Sequence, residues 1–437
     1  MKLGVTYAHE KLFLTKRPSL FINLSNSILY ALCKDGPSNH HPEELQQSKR
    51  KVSLRVLGIH FLLLACFYCQ GALAQKALPS IGQEKMQGIT SSLDKFIINF
   101  SKTKTPPSCV VAIVGPNDVY FLKAYGIRKL GQPERLTEKT LFQLGSVSKP
   151  LTATLVGILQ TQQKLSIQNP VTNYLKDFKL QGQEQPLLIK HLLSHTSGVP
   201  RKGFNALVES FTERSKIFEK AQHTELAAQP GQHFDYHNVM FALTEDVLEA
   251  AMHQPLEKLL QNNLFKPLNM PIACVGFQPL KESSNSAFPH VKNAKGKILP
   301  RKKYSQAYYA IAPAGGINAS MEDLIPFLQA HLGGFPDVMG TETLNLLHAS
   351  QIEEDHPPGW LKEETKHVGK TGYALGWRWM DYAGQRVLFH GGWVGGFHNM
   401  VAFLPEHKVG IIILHNAETR LSLKAALKFL DLYLKAS

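Results

Sequence analysis

The chain has 437 residues, of which 43% are hydrophobic, and it carries a formal net charge of +14. Its length predicts two domains or one catalytic unit built in two parts, because a single simple core rarely grows so large. The basic residues are scattered, and no basic run alternates with aromatic residues. This pattern argues against nucleic-acid binding and is typical of a solvated, positively charged surface.

A secretion signal is predicted upstream of residue 75. Basic residues at 49–51 lead into an apolar run that closes on Ala72-Leu73-Ala74, which has the small residues of a cleavage site. The run is shorter than the ~20 residues that a membrane-spanning helix needs. We therefore expect an N-terminal extension with a signal peptide (1–74), a mature unit (75–437) that is periplasmic or secreted, and no transmembrane segment after cleavage. Cleavage would remove nine basic and four acidic side chains, which leaves a charge of +9.

Two further hypotheses concern this N-terminal part. Cys66 follows an apolar stretch at 63–65 and is an alternative site for a lipid anchor. The signal also lies far from Met1, and no other methionine occurs before Met86, so translation is expected to begin near Val52 at an alternative start codon. N-terminal sequencing of the precursor tests the second hypothesis.

Cysteine usage restricts the chemistry of the mature chain. Of the five cysteines, only Cys109 and Cys274 follow the predicted cleavage site. They can form one disulfide in an oxidising compartment or remain two buried thiols, and both alternatives stay open. Two cysteines do not suffice for a cysteine-based metal site.

Hydrophobic periodicity predicts related elements at the two ends of the mature chain. These are a helix over 82–103, a β-hairpin of 109–114 and 119–122, strands at 398–404 and 409–414, and a helix over about 418–434. The periodicity between Leu151 and Leu268 is mostly helical. The pattern predicts an α+β fold, in which an antiparallel sheet is flanked by the terminal helices and an all-helical region is inserted. The sheet region is expected at about 82–145 and 305–437, and the helical region at about 150–300; the polar segment 281–305 is predicted to be an exposed loop.

The first candidate motif is Ser146-x-x-Lys149, between an apolar, strand-like run and a helix with one apolar face. The spacing places Lys149 one helical turn beyond Ser146, which would lie at the positive end of the helix dipole. A desolvated lysine with a lowered pKa can take the proton of a serine hydroxyl. The pattern recurs at Ser48, Ser92 and Ser101, so only its context singles out Ser146. The alternative is a helix N-cap serine near a surface lysine.

The second candidate comprises Tyr236 and Asn238, which flank His237 just before an apolar helix. A tyrosine near a lysine can lose its proton more easily and serve as a general base. An amide can hold either the lysine or a substrate carbonyl. The alternative is an ordinary helix start with Asn238 as its cap.

The third candidate is His390-Gly391-Gly392-Trp393, after a predicted strand at 386–389. Two glycines at the end of a strand would let an extended substrate approach the backbone, and the next amide can point at a developing oxyanion. The alternative is a glycine turn that contains a solvated histidine.

Together, the order and surroundings of these motifs resemble the serine β-lactamase and penicillin-binding-protein superfamily, in particular its class C β-lactamase-like branch, which includes esterases and D-amino-acid peptidases. The likeness covers about residues 105–435 and is supported by segments at 191–198, 313–316, 373–377 and 395–397. It implies a β-lactamase/transpeptidase-like fold. It also implies a serine hydrolase that cleaves ester, amide or β-lactam bonds through an acyl-enzyme, with no metal or cofactor.

The resemblance further implies roles for individual residues. Ser146 would be acylated, Lys149 and Tyr236 would share proton transfer, and the backbone amides of Ser146 and Trp393 would form the oxyanion hole. The residues expected to contact the substrate are Asn238, His390, Gly391 and Gly392. The expected partner is a small molecule or a peptide, which can derive from peptidoglycan, and the protein is expected to be a monomer.

One departure from the family matters for the substrate. Its β-lactamases usually carry Lys-Thr-Gly where this chain has His390-Gly391-Gly392. A mostly neutral histidine anchors an anionic substrate more weakly than a lysine, so esterase or peptidase activity is favoured over strong β-lactamase activity. A literal Lys370-Thr371-Gly372 lies before an earlier strand and is interpreted as unrelated to the site.

Two alternatives to a general esterase remain. The first is a D-amino-acid peptidase or DD-carboxypeptidase that acts on peptidoglycan peptides. The second belongs to another class, an inactive relative that binds peptidoglycan fragments or a partner protein; the intact Ser146, Lys149 and Tyr236 argue against it. His191 and His195 lie in a segment that the family uses structurally and are left out of the predicted site.

Overall fold

The computed structural model describes residues 82–104 and 109–437. These residues belong to one compact unit, Ala77–Ser437. The predicted signal peptide, the possible anchor at Cys66 and the proposed start near Val52 lie outside the described residues. None of the described helices has the length and hydropathy needed to cross a membrane.

A large antiparallel sheet joins the two ends of the described chain, which confirms the predicted fold class. Its eight strands, in spatial order, are β2 (Val119–Tyr125), β1 (Cys109–Val114), β13 (Val409–His415), β12 (Phe397–Leu404), β11 (Gln385–Val394), β10 (Arg378–Tyr382), β9 (Val368–Tyr373) and β8 (Ile352–Glu354). β1 pairs with β13 from Cys109 opposite His415 to Val114 opposite Gly410. This order leaves β11, with the third predicted motif, in the interior of the sheet.

Two cores cover the faces of the sheet. Side chains alternate along a strand, so in β1 Val111 faces the core beneath the terminal helices and Val110 faces the opposite core. The terminal helices are α1 (Gln83–Lys104) and α13 (Leu421–Ala436). Burial of each large aliphatic side chain contributes about 1.5–3 kcal/mol, which is why the inner strands are apolar along their whole length.

The second core is shared with a mostly helical region between two short strands, β3 (Phe142–Gln143) and β7 (Ile317–Ala319). Its helices are α2 (Ser148–Thr161), α3 (Ile189–Leu193), α4 (Phe204–Glu209), α5 (Arg214–Gln222), α6 (Asn238–Met252), α7 (Leu256–Leu260), α8 (Phe277–Glu282) and α9 (Ala312–Gly315). A further strand, β4 (Cys274–Val275), joins β3 and β7 in a small sheet. Between β7 and β9 lie α10 (Met321–His331), α11 (Thr341–His348) and α12 (Gly359–Lys362).

The segment 281–305 differs from the simple exposed loop that its polarity predicts. It contains a hairpin of β5 (His290–Lys292) and β6 (Ile298–Pro300), and His290 is only 3% exposed. The ring of His290 accepts a hydrogen bond from the backbone N–H of Leu130 at 2.9 Å and donates one to the carbonyl oxygen of Asn416 at 2.8 Å. Both partners are distant in sequence, so local composition does not reveal this anchor.

The structure also decides the open question about the cysteines. Cys109 and Cys274 are both free thiols, Cys109 buried in β1 and Cys274 partly buried in β4. Burial raises the pKa of both thiols, that of Cys274 to about 11. The described part of the chain therefore gains no stability from a disulfide between them.

The stability of the fold is expected to fall in mild acid, because several histidines are buried in a neutral form. His331 Nδ1 lies 3.0 Å from His348 Nε2, and His331 Nε2 lies 3.0 Å from the hydroxyl of Thr154. Burial lowers the pKa of His348 to about 3 and that of His331 well below its usual value. The unfolded chain takes up these protons near pH 6.5 and the folded chain does not, so stability is intact above that pH and falls below it. We expect a loss of about 1 kcal/mol per such histidine between pH 7 and pH 5.5, measured by urea unfolding.

Between pH 7 and pH 5.5 the change in stability reports mainly on the histidines, because ordinary carboxylates titrate at lower pH. Glu245 opposes them, since burial raises its pKa to about 7. Glu245 is a single group, and it is opposed by the buried and partly buried histidines whose pKa values are lowered, which are His191, His195, His237, His290, His331, His348, His390, His398 and His407. His348→Gln keeps an acceptor for His331 and should reduce the pH dependence. A urea midpoint that stays constant from pH 7 to pH 5.5 would contradict the prediction.

Candidate active site

Ser146 lies in a tight turn between β3 and α2. A single 3₁₀ turn, Gly145–Val147, follows β3, and α2 begins two residues after Ser146. Gly145 has a φ of +57°, in the left-handed region that favours glycine. Ser146 is partly exposed while its neighbours are buried. The turn therefore presents one hydroxyl from an otherwise buried segment, just before the helix instead of at its first residue.

The turn is attached to the large sheet from behind. The side-chain amide of Asn399, in β12, donates to the carbonyl oxygens of Gln143 and Leu144 at 2.9 and 3.2 Å. The hydroxyl of Ser148 accepts a hydrogen bond from the backbone N–H of Ile317 at 3.0 Å. These bonds fix the backbone on both sides of Ser146.

Lys149 is completely buried beside Ser146. Its Nζ lies 3.2 Å from Ser146 Oγ, 2.7 Å from Asn238 Oδ1 and 2.8 Å from the carbonyl oxygen of Ala314. The ring of Tyr236 is also close, with its centroid 4.7 Å from Nζ. The predicted proximity of Lys149 to Ser146, Tyr236 and Asn238 is thus present in the structure.

The surroundings of Lys149 favour its neutral form. Burial, and secondly the positive charge of Arg378, hold the pKa of Lys149 well below its usual value. A neutral amine has two N–H donors and one lone pair. The oxygens of Asn238 and Ala314 accept the two donors, which leaves the lone pair for the hydroxyl proton of Ser146. The three contacts therefore match an amine that is ready to accept that proton.

Tyr236 and Asn238 reach the site from the start of α6. His237 caps this helix, since its ring accepts a hydrogen bond from the N–H of Met240 at 3.2 Å. The alternative in which Asn238 is the cap is therefore wrong: Asn238 is the first helical residue. Its carbonyl oxygen accepts from Lys149, and its amide donates to Asn205 Oδ1 at 3.0 Å. This second bond fixes the orientation of the amide.

The pKa of Tyr236 differs from the sequence-based expectation. Burial raises it to about 12, although a hydrogen bond to Ser146 and the charge of Arg378 act in the opposite direction. The expectation that Tyr236 loses its proton more easily is wrong, because a neutral Lys149 supplies no charge to stabilise a phenolate. At neutral pH the side chain is a phenol that can donate a hydrogen bond and pass on a proton.

The third motif lies inside a strand and not at its end. β11 runs from Gln385 to Val394, and β10 pairs only with its first half, from Gln385 to Phe389. The half that begins at His390 therefore has one edge without a strand partner. Val394 pairs with Phe397 across a two-residue turn, so Trp393 falls at a non-hydrogen-bonded position and its N–H points towards this open edge.

Gly392 and Trp393 form the contact between β11 and the Ser146 turn. A Cβ at Gly145 would lie 3.3 Å from the backbone nitrogen of Trp393. A Cβ at Gly392 would collide with the carbonyl oxygen of Leu144 and meet Val147. Only glycine lets the strand approach the turn this closely. The close approach places the backbone of Gly392 and Trp393 against the residues that flank Ser146.

His390 and Gly391 occupy positions other than those expected. His390 is 2% exposed, and its ring nitrogens are 2.9 Å from the hydroxyl of Tyr373 and 2.9 Å from the carbonyl oxygen of Gly391. Both nitrogens thus have partners, so the side chain positions Tyr373 and does not offer a free group to a substrate. A Cβ at Gly391 would face Met400 on the opposite side of the sheet. The expected substrate contacts at these two positions are limited to backbone atoms.

Arg378 is a site residue that no local pattern predicts. Its guanidinium lies 5.1 Å from the ring centroid of Tyr236 and 5.7 Å from that of Tyr373, and it pairs with Glu354 at 3.0 Å. Its charge helps to lower the pKa of Lys149. Tyr373 and the carbonyl of Ala314 were also missed as site components, although both belong to segments that supported the family resemblance.

Lys370 and His195 were left out of the predicted site, and the structure gives each a different position. Lys370 is an exposed residue of β9 that pairs with Glu353 at 3.1 Å, so the literal Lys-Thr-Gly does not contribute a cation to the site. His195 is buried next to the site, and its ring centroid lies 4.2 Å from that of Tyr236. Across residues 82–104 and 109–437, no group of three or more histidine, cysteine or acidic side chains is arranged to hold a metal ion.

The fold and the arrangement of these residues define a member of the serine β-lactamase/transpeptidase superfamily. Residues 93–434 match the family described as Beta-lactamase, so the chain belongs to that family. Among curated relatives, it is 22% identical over 328 residues to "Protein flp" of Staphylococcus aureus (strain N315), covering 74% of this chain and 62% of the relative. It is also 22% identical over 363 residues to "Unguisins hydrolase ungD'" of Aspergillus campestris, covering 78% of this chain and 62% of the relative. The chain thus spans about three fifths of the length of these relatives.

Two solved structures share the fold. An octameric penicillin-binding protein homologue from Pyrococcus abyssi superposes with a TM-score of 0.70 at 22% identity, over 79% of this chain and 77% of the homologue. EstCE1, described as a hydrolase with promiscuous acyltransferase activity, has a TM-score of 0.66 at 19% identity, over 81% of this chain and 99% of its own. The first homologue is octameric, so a monomer stays a prediction for this protein.

Gly392→Ala is expected to lower turnover at least ~100-fold, because the added methyl group pushes β11 away from Leu144 and misplaces the Trp393 amide. The crowding should also destabilise the fold by about 1–3 kcal/mol. Initial rates with a chromogenic ester and a thermal melt measure the two effects. The matched control is Gly391→Ala, whose methyl group would make only ordinary van der Waals contacts, at 3.4 Å with Met400 and at 3.8 Å with Asn399 and Trp393. Equal losses in the two variants would contradict this account.

Proposed function

We propose that this protein is a serine hydrolase that cleaves an ester or amide through an acyl-enzyme on Ser146. The observation that carries the proposal is the set of contacts around Lys149. Its amine is buried, has two acceptors for its two N–H groups, and has the hydroxyl of Ser146 at 3.2 Å for its lone pair. An inactive binding protein has no need for a desolvated lysine whose pKa is lowered beside a serine hydroxyl.

In the acylation step, Ser146 Oγ attacks the substrate carbonyl carbon while its proton moves to Lys149 Nζ. The developing oxyanion is stabilised by the backbone amides of Ser146 and Trp393, which cost no reorganisation because β11 and the turn are already in contact. The substrate lies along the open edge of β11. Collapse of the tetrahedral intermediate breaks the bond to the leaving group and leaves the acyl group on Ser146.

Tyr236 connects Lys149 to the leaving group. Its phenol is protonated at neutral pH, so it can donate its proton to the departing oxygen or nitrogen and recover one from the Lys149 ammonium. In deacylation a water molecule attacks the acyl carbonyl, its proton passes to the Lys149 and Tyr236 pair, and Ser146 Oγ is protonated as it leaves. Asn238 keeps Lys149 in place through both steps.

Esters are the substrates that the site favours over β-lactams. His390 stands where the family's β-lactamases usually carry a lysine. Burial holds the pKa of His390 well below its usual value, and both ring nitrogens already have hydrogen-bond partners. His390 therefore supplies no positive charge for the carboxylate of a β-lactam. We also propose that the enzyme acts outside the cytoplasm, on the strength of the secretion signal in the sequence.

The test compares three substrates on one preparation: a p-nitrophenyl ester, a D-amino-acid amide and a chromogenic cephalosporin. We expect measurable turnover of the ester and weak turnover of the cephalosporin, with a fluorophosphonate probe attached to Ser146 when the labelled peptide is sequenced by mass spectrometry. Fast cephalosporin hydrolysis would overturn the argument from His390. Faster turnover of the amide than of the ester would favour a D-amino-acid peptidase. No labelling of Ser146 would overturn the proposed function.

A further inference from the structure

A cavity of about 360 Å³ lies beside the tip of β11, a size within the ~300–1,000 Å³ typical of small-molecule pockets. The lining residues that matter for its chemistry are Glu209, Phe211, Arg301, Lys303, Tyr308 and Gly395. They come from α4 and the chain after it, from the segment that follows β6, and from the turn between β11 and β12. The cavity is therefore formed where three parts of the fold meet.

The cavity borders the turn that directly follows the open-edged half of β11. Gly395 follows the last residue of the strand, and a Cβ there would lie 2.8 Å from Nη1 of Arg301. Ser305, another lining residue, accepts a hydrogen bond through its carbonyl oxygen from the side-chain amide of Gln143 at 3.1 Å. Gln143 stands three residues before Ser146. A substrate that runs along β11 past Trp393 thus reaches the guanidinium of Arg301.

The charges in the cavity are unbalanced. In the described part of the chain, neither Arg301 nor Lys303 has a carboxylate within ion-pair distance, whereas Arg201 and Arg378, near Tyr236, are paired with Asp235 at 3.7 Å and Glu354 at 3.0 Å. Glu209 is the acidic residue among those lining the cavity. Its carboxylate accepts a hydrogen bond from the hydroxyl of Tyr308 at 3.0 Å, and two cations outnumber it.

We propose that this cavity binds a carboxylate carried by the substrate, and that the enzyme therefore prefers anionic esters or amides; this inference rests on the proposed hydrolase function. A guanidinium offers two parallel donors to a carboxylate, and Lys303 adds a second positive charge. Phe211, which is 66% exposed, provides an apolar surface for the chain that carries the carboxylate. The site lies beyond Trp393, on the other side from His390, so it is independent of the weak anchoring there.

Three butyrate-type esters of similar size test the proposal. The neutral one is p-nitrophenyl butyrate. The second, p-nitrophenyl monosuccinate, places the carboxylate on the acyl side, and the third, 4-butyryloxy-3-nitrobenzoate, places it on the leaving group. The enzymes compared are wild type, Arg301→Gln/Lys303→Gln and Arg301→Lys. Lys302→Gln is the matched control, because Lys302 is an exposed neighbour that does not line the cavity.

We expect kcat/KM of the double variant to fall at least ~10-fold for one of the two anionic esters, with the neutral ester changed less than about twofold. The ester that responds identifies the side of the scissile bond that enters the cavity. Arg301→Lys should restore part of the loss, and Lys302→Gln should resemble wild type. Unchanged rates for both anionic esters, or equal losses for all three, would overturn the proposal.

The anion site and the hydrolase function can fail separately. Turnover of the neutral ester by wild type, together with its loss in Ser146→Ala, tests the hydrolase function alone. Calorimetric titration of monobutyl succinate into Ser146→Ala tests the cavity without turnover. Weaker binding when Arg301→Gln/Lys303→Gln is added to that background supports the anion site, and unchanged or undetectable binding overturns it.

Discussion

Ser146→Ala is expected to reduce kcat for every substrate by at least ~10⁴-fold, because the alanine has no oxygen to form the acyl-enzyme. Lys149 and the two backbone amides would remain in place, so substrate binding should change little. The measurement is the initial rate with p-nitrophenyl butyrate, together with labelling by a fluorophosphonate probe. Both signals should disappear.

The matched control is Ser92→Ala. Ser92 and Lys95 repeat the same Ser-x-x-Lys spacing in α1, and Ser92 is exposed there. That variant should keep wild-type activity and labelling. This result would show that the place of Ser146 in the fold, and not the Ser-x-x-Lys spacing alone, makes it the nucleophile. Ser146 is partly exposed, and its hydroxyl has hydrogen bonds to Lys149 and Tyr236 but to no other residue in the described part of the chain. Its loss should therefore cost no more than about 1 kcal/mol of stability. Residual activity above ~1% of wild type in a folded Ser146→Ala variant would refute the mechanism.

The sheet was predictable because its signal is local. β1, β12 and β13 are nearly continuous apolar runs, and a strand buried on both faces has no other pattern. The two terminal helices show apolar spacing along one side for the same reason. Local patterns also placed Ser146 at a strand-to-helix turn, although the structure puts α2 two residues later.

The electrostatics of the site were less predictable because they depend on distant residues. The charge of Arg378 acts on Lys149 and Tyr236, and nothing in the sequence around Arg378 indicates that its side chain reaches them. The raised pKa of Tyr236 likewise follows from its burial, which no pattern around Tyr236 in the sequence indicates. The family resemblance identified Lys149 and Tyr236 as site residues, but their protonation states depend on burial and charges that only the folded structure shows.

The structure also assigns different tasks to the glycines of the third motif. Sequence reasoning treated Gly391 and Gly392 as equivalent, but side-chain alternation along β11 places them on opposite faces. Gly392 faces Leu144 and permits the close approach of the strand to the Ser146 turn, and Gly391 faces Met400. These two adjacent glycines therefore differ in role: Gly392 shapes the site, and Gly391 lies on the opposite face of the sheet.

Lys149→Met is expected to lower kcat by about 10²–10⁴-fold, the contribution of a positioned general base. Methionine fills a similar volume but leaves the oxygens of Asn238 and Ala314 without their donor, so the fold should lose about 1–3 kcal/mol as well. Lys149→Arg should be no more active, because a guanidinium stays protonated at any usable pH. Burst kinetics with a p-nitrophenyl ester would separate slow acylation from slow deacylation.

The pH profile of the wild type gives an independent check on the same residue. Only the neutral amine accepts the proton of Ser146, so kcat/KM should rise with pH through the pKa of Lys149 and reach its plateau well below the pH at which an ordinary lysine loses its proton. Arg378→Gln removes a positive neighbour and unpairs Glu354, and both changes raise that pKa, so the rising limb should move to higher pH. Arg378→Lys keeps the charge and should leave the limb near its wild-type position. A limb that does not move in Arg378→Gln, or that lies near pH 10 in the wild type, would contradict the assignment of Lys149 as the neutral base.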